Sequence, residues 1–360
     1  MCAFKDLMIV EKGARFKPWM PVRIILTALL LSGAAIFFSG CQDLDALWGT
    51  DPENASNSRF ILPEPVPALS QTSEERLGYL YYADVQHRFL VPVRRYIPWV
   101  ENIATATLLR LTSSPDSAEE LRQLGLSPTL PAQTRIDGMS INDSQARINF
   151  SAEFLKYPPE HERLVLGSIL SSLRQFSNIE TVEFLVEGEK VDRFPGGAPG
   201  QLPLETESYI NLELDTTVED YSNITAVTLF FCYLVPNGRI LYVPVTRALP
   251  PAEDIETAAV RELLKGPRPG SGLFSDLPTG TELLSFRVEE GRAVLDLSGE
   301  FLTFQGGRTG AENMVNQILL TLSLHEEIEQ VQILVEGIKV TLEGLDLTNP
   351  LTPPEVFNYF

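Results

Sequence analysis

Two glutamates occupy matching places in "INFSAEF" and "LDLSGEF": Glu153 and Glu300 each follow a run of alternating apolar residues and precede a phenylalanine. A carboxylate just past a strand is well placed for general acid or base chemistry, provided a second titratable group lies within hydrogen-bond reach. The chain offers few such groups. Its histidines are His87, His161 and His325, none of them in an HExxH or paired spacing, so no zinc ligand set is expected. There is no Walker loop, Rossmann fingerprint or GxSxG elbow, and "GGAPG" at 196–200 neither follows a strong strand nor opens a helix. The neighbouring Phe154 and Phe301 favour a structural corner in which Phe packs and Glu caps. His325, at the end of an expected helix, reads as a surface histidine at a helix C-terminus. Lys190 and Lys339, two residues after Gly in "VEGxKV", read as edge-strand charges that discourage aggregation. The expectation is therefore no catalytic residue, no metal and no cofactor: a protein that is not an enzyme.

The elements that would position these residues are written twice. "FLVPVRRYIP" (89–98) matches "LYVPVTRALP" (241–250), placing Pro92 on Pro244 and Arg95 on Arg247. "LPAQT" (130–134) matches "LPTGT" (277–281), and "VEFLVEGEKV" (182–191) matches "VQILVEGIKV" (331–340). The same order throughout makes two copies of one unit.

In each copy the pattern predicts a hairpin, a helix, two strands, a second helix and a last strand. "VTLFFCYL" and "RILYVPVTRAL" flank Asn237-Gly238, which supplies the positive φ a turn needs. Val260, Leu263 and Leu264 stripe a helix ended by Gly266-Pro267; Leu108 and Leu111 keep the stripe and Pro115 is expected to keep the stop. Ala293, Leu295 and Leu297 alternate with wetter residues, as do Ala146, Ile148 and Phe150. Val315, Ile318, Leu319 and Leu322 form the face of the second helix, repeated by Leu166, Ile169, Leu170 and Leu173. The fold class is then α+β: two copies of a ββαββαβ domain, each a largely antiparallel sheet with helices packed on one face.

The divisions follow as signal peptide 1–40, lipidated N-terminus and flexible tether 41–75, first domain 76–193, linker 194–225, second domain 226–345 and an extended tail 346–360. Within the linker, "YINLEL" at 209–214 alternates well enough to be an extra strand.

The chain carries a net charge of −20. Residues 1–40 hold five basic and two acidic residues, leaving 23 basic against 46 acidic beyond them, a net of −23. A surface that acidic repels phosphate backbones, which argues against nucleic acid as a partner. The apolar run from Ile24 to Phe38 is shorter than the about 20 residues of a spanning helix and follows a basic stretch, as in a secretory signal. Met20 is an alternative start that gives a shorter basic region. The ending "FFSGC" resembles the lipobox of bacterial lipoproteins, with Phe38 in place of the usual Leu or Val, and implies lipidation of Cys41. Cys2 leaves with the signal and Cys41 with its lipid. Only Cys232 then remains, so no intramolecular disulfide forms, and its neighbours Phe230 and Phe231 suggest a buried thiol.

"VRELLKGPRPGSGLFSDLPTGTELLSFRVEEGRAVLDLSGEF" (260–301) resembles the GerMN family through the helix end "LLKGP", then "LPTGT", a strand pair broken at a glycine, and "LDLSGEF". The first copy is more diverged: it has "LTSSP" at the helix end and lacks that glycine at Ser144-Gln145, but keeps "INFSAEF". The resemblance implies a lipoprotein with tandem GerMN domains that serves spore formation and germination. It also implies envelope or sporulation assembly proteins, including ring-forming, secretion-like assemblies, as partners. The anchor would hold the protein to the membrane through Cys41, on the outer face of the cytoplasmic membrane and, in sporulating cells, in the space between mother-cell and forespore membranes. The expected role is a non-enzymatic scaffold or assembly factor, with a peptidoglycan- or small-ligand-binding module as the alternative.

Overall fold

The computed structural model describes residues 75–359 apart from 99, 101, 113–114, 207–209, 215–217 and 219–222. The signal peptide, Cys41 and Trp99 lie outside the described residues, and no described helix is long and apolar enough to cross a membrane.

The first copy runs β1 (Glu75–Asp84), β2 (Leu90–Pro98), α1 (Ile103–Leu109), α2 (Pro115–Gln123), β3 (Leu126–Ser127), β4 (Ile136–Asn142), β5 (Gln145–Phe150), α3 (Glu162–Leu173), β6 (Thr181–Val186), β7 (Glu189–Lys190) and β8 (Leu204–Glu205). The connecting segment holds β9 (Glu213–Leu214). The second copy runs β10 (Thr225–Leu234), β11 (Ile240–Leu249), α4 (Ile255–Leu264), β12 (Leu283–Glu289), β13 (Arg292–Leu297), α5 (Gly307–Leu322), β14 (Gln330–Val335), β15 (Thr341–Leu342) and β16 (Leu345–Asp346). The architecture is α+β in two similar units.

Each unit divides its strands between two sheets. One is built on the hairpin, β1–β2 or β10–β11. The other is β4–β5–β6 or β12–β13–β14. In the second sheet the outer pair is antiparallel, while β5–β6 and β13–β14 are parallel. A parallel pair needs a long crossover, and α3 and α5 supply it.

The hairpins explain why "VTLFFCYL" is apolar at nearly every position and does not alternate. Val227, Leu229 and Phe231 enter the core of the second unit, while Phe230 and Cys232 enter an apolar cluster shared with Tyr79, Tyr81 and Leu90 of the first. A strand buried on both faces has no wet side to alternate with.

Three expectations are corrected. Pro115 does not stop the first helix, which ends at Leu109; it opens α2, where a missing N–H costs nothing and a fixed φ helps. The stretch beginning at 194 is not a bare linker, since Phe194, Ala198 and Leu204 pack into the first core and β8 pairs with β6. "VEGxKV" does not continue the last strand. Glu187 and Gly188, like Glu336 and Gly337, have positive φ, and the chain turns back there.

The two units meet along β2 and β11, and the join has approximate two-fold symmetry. Asn211, from the segment after the first unit, accepts from Leu90 N at 2.7 Å and donates Nδ2 to Leu90 O (2.7 Å) and Pro244 O (2.8 Å). Asn358, from the tail after the second, accepts from Tyr242 N at 2.8 Å and donates Nδ2 to Tyr242 O (2.7 Å) and Pro92 O (2.8 Å). Leu90 and Pro92 are the repeat partners of Tyr242 and Pro244. Both asparagines have positive φ, 48° and 50°, a conformation Asn tolerates better than most residues. Pro92 and Pro244 bring no N–H to this seam, which suits strand edges that meet without a ladder. Behind it, Tyr81 N donates to Ser172 Oγ (3.2 Å) and Phe230 N to Thr321 Oγ1 (3.1 Å), again at equivalent places.

Candidate functional site

Glu153 and Glu300 stand on short 3-10 turns, Ala152–Leu155 and Gly299–Thr303, directly after β5 and β13. Phe154 and Phe301 are fully buried, while Glu153 is half-buried and Glu300 exposed. The hydroxyls of Ser151 and Ser298 hold the two carboxyls below the usual range, so both are ionised. The same hydroxyls accept from Arg135 N (3.1 Å) and Glu282 N (2.9 Å), tying the corner to the preceding loop. The nearest cations to Glu153 are Lys156 at 3.4 Å and Arg135 at 3.9 Å. An ionised carboxylate held by a serine hydroxyl, and in the first copy set beside two cations, is a corner fitting.

The repeated phrases interlock in space. Gly188 N donates to Asn149 Oδ1 and Gly337 N to Asp296 Oδ1, each at 2.8 Å. The second residue of "INF" and "LDL" thus caps the turn of "VEG". Glu187 N and Glu336 N donate at 2.9 Å to Phe150 O and Leu297 O, and Glu187 Oε1 accepts from Ala152 N at 2.8 Å. The repeated motifs are the means by which two parallel strands are terminated together.

What differs between the copies is the outer face of each β sheet. On the first, buried Glu183 is paired with Arg147 and Lys190. The Lys190 ammonium, then Arg147, hold its carboxyl low against the opposing cost of burial. Lys190 stands on β7 at the sheet edge. On the second, Gln332 replaces Glu183, and Arg287, Glu289, Glu290, Arg292, Gln332 and Lys339 help line an open groove of about 750 Å³, with Arg287 paired to Glu289 at 2.8 Å. One scaffold therefore presents a face closed by its own buried ion pairs and an open face of mixed charge.

The histidines, far apart in sequence, are not all isolated in space. His87 and His161 stack with ring centroids 4.2 Å apart. Burial, then the nearby His161, lowers the His87 pKa, so this ring stays neutral near neutral pH. No sequence spacing announces a pair 74 positions apart. His325 is not a free surface residue: its side chain is 15% exposed, with Nδ1 3.1 Å from Glu256 Oε1. Cys232 is buried, and burial pushes its thiol well above the ordinary range.

Arg247 is a functional residue of a structural kind. Its guanidinium donates to Glu213 Oε2 (2.8 Å), Glu262 O (3.0 Å) and Gly266 O (2.7 Å), binding β9 and the end of α4 to β11. Its repeat partner Arg95 pairs with Glu120 of α2.

Comparison with known proteins agrees with this duplicated architecture. The family profile Germane, described as sporulation and spore germination, matches residues 79–192 and again 229–341. The spore germination protein GerM of Bacillus subtilis (strain 168) is 29% identical over 354 residues, which cover 93% of this chain and 95% of that protein. The solved tandem GerMN domains of the sporulation protein GerM from Bacillus subtilis superpose with a TM-score of 0.65 at 28% identity, over 79% of this chain and 99% of that one. With one profile matched by both halves and a relative aligned almost end to end, the chain belongs to the Germane family of sporulation and spore germination proteins.

Proposed function

We propose that this protein is a non-enzymatic scaffold, or assembly factor, of spore formation and germination, held to the outer face of the cytoplasmic membrane by lipid on Cys41. The observation that carries the reading is the pairing of two copies through a hydrogen-bonded seam that leaves two chemically different sheet faces outward. A fixed pair of unlike faces suits a protein that holds two partners, or two parts of one assembly, in register, because the second contact becomes intramolecular. Membership of the family supports the sporulation setting. In sporulating cells the anchor would place the protein between mother-cell and forespore membranes, with envelope assembly proteins as partners. The ionised glutamates, held at structural corners by serine hydroxyls, support a role without catalysis.

The test is in-cell crosslinking of the full chain in growing and in sporulating cells, with the captured material identified by mass spectrometry. Envelope assembly proteins captured chiefly during sporulation are the expected result. Capture of glycan fragments alone, at either stage, would overturn it in favour of a peptidoglycan-binding module. Cys41→Ser is expected to release the protein from membranes, and a variant that stays membrane-bound would remove the lipid anchor from the proposal.

A further inference from the structure

Glu256 lies in the first turn of α4, and His325 and Glu327 lie in the loop from α5 to β14. The loop folds back over the helix start. His325 Nδ1 lies 3.1 Å from Glu256 Oε1, and one ligand atom from each of Glu256, His325 and Glu327 lies within 4.8 Å of the others. Donors around a tetrahedral zinc ion, with bonds of about 2.0–2.2 Å, stand roughly 3.3–3.6 Å from one another. The cluster is close to that spacing already, and Glu327, on an exposed loop, can close the remainder.

We propose that Glu256, His325 and Glu327 form a binding site for a divalent transition-metal ion of the zinc class, which pins the start of α4 to the α5–β14 loop. One imidazole with two carboxylates suits zinc or manganese better than the all-oxygen shells that calcium and magnesium prefer. Water would complete the coordination.

The duplication supplies an internal control. Ala258 N donates to Asp254 O as Ala106 N donates to Asn102 O, which sets Glu256 opposite Ala104. His325 N donates to Leu322 O and Ile328 N to His325 O, and in the first copy Phe176 N donates to Leu173 O and Ile179 N to Phe176 O. His325 therefore stands where the first copy has buried Phe176, and Glu327 where it has Asn178. The same backbone is completed in one copy by apolar packing, with Arg76 over the Phe176 ring at 5.1 Å, and in the other by three ligating side chains. Packing alone does not call for those donors.

Asp254 adds negative charge to the site, but its oxygens are engaged by Thr257 N (2.8 Å) and Oγ1 (2.6 Å), and Arg261 lies near enough to act on it.

The experiment strips the purified full chain with EDTA and titrates zinc by calorimetry, with cobalt as a spectroscopic stand-in. One saturable zinc site is expected, with cobalt giving the visible absorption of a low-coordinate site and excess zinc abolishing it. The double variant His325→Phe, Glu327→Asn copies the first unit and should fold. It is expected to lose more than the roughly 10- to 100-fold in affinity that even outer partners of a ligand cost. Glu256→Gln should weaken binding while leaving the fold intact, and His87→Ala with His161→Ala should leave binding unchanged. The proposal is overturned if the natural chain shows no saturable zinc binding. It is equally overturned if the double variant binds as well, if the loss follows His87 and His161, or if equimolar magnesium displaces the ion.

Discussion

Asn211 and Asn358 each place one carboxamide between strands of two units and make three hydrogen bonds there, at 6% and 8% exposure. Asn358→Ala leaves the Tyr242 amide and two carbonyls without partners, a loss of about 2–4 kcal/mol. Asn358→Asp keeps the shape but turns the donor into a buried acceptor facing two carbonyls, so it is expected to cost at least as much as alanine. Asn211→Ala should match Asn358→Ala, and urea midpoints compare all three. Neither residue was legible beforehand, because nothing local marks an asparagine whose partners lie up to 266 positions away, even where, as around Asn211, the stretch alternates like a strand. The pairing of His325 with Glu256 was hidden for the same reason, whereas buried Cys232 could be read from its aromatic neighbours. A second prediction concerns pH. Because the Glu256 carboxyl is raised from 4.5 to about 7, the fold favours its protonated form. The stability it contributes is complete below pH 4.5 and is lost as pH rises through about 7. His325, lowered from 6.5, acts oppositely and loses its contribution as pH falls through that value. In EDTA, the thermal midpoint of the natural chain relative to Glu256→Gln should therefore fall between pH 4.5 and 7. A difference that is flat with pH would show that the carboxyl is not raised.

Elements were more legible than their contacts. The strands β12 and β13 and helices α4 and α5 followed from period-two and period-three-to-four patterns with caps where turn chemistry demanded them. Pro115 misled because a proline both ends one helix and opens another, and only packing selects which. The turn at "VEG" misled because its flanks are as apolar as a strand, while the group that ends the strand, Asn149 or Asp296, lies on another strand altogether. That device gives a paired prediction. Asp296→Asn, which writes the first copy's residue into the second, keeps an acceptor for Gly337 N and should be nearly neutral. Asp296→Ala leaves that turn uncapped and should cost about 1 kcal/mol, less than a buried group because the site is exposed. Chemical denaturation of the two variants side by side checks the argument, and equal losses for Asn and Ala would refute the cap.

At the scale of the molecule, the repeat announced two units but not that each sends its following segment across to the other. β9 pairs in parallel with β11, and Tyr359 bridges to Arg94 on β2, so each unit's strand edge is covered by the chain that follows its counterpart. Phe357 completes the seam, its ring 5.4 Å from Phe230 and 5.5 Å from Tyr79. Such a join makes the two units one cooperative body, although each has its own apolar core. Stopping the chain after Pro354 removes Phe357, Asn358 and Tyr359 while leaving β9 and both cores in place. Calorimetry of the full chain is expected to give one unfolding transition, and of the shortened chain two, since half of the seam's polar bonds and its central aromatic contact are gone. A single transition that merely moves to lower temperature would mean that the Asn211 half and the apolar cluster suffice to couple the units. The shortened chain also bears on the scaffold: if partners are held by two faces in fixed register, it should keep each contact singly but lose the gain from having both.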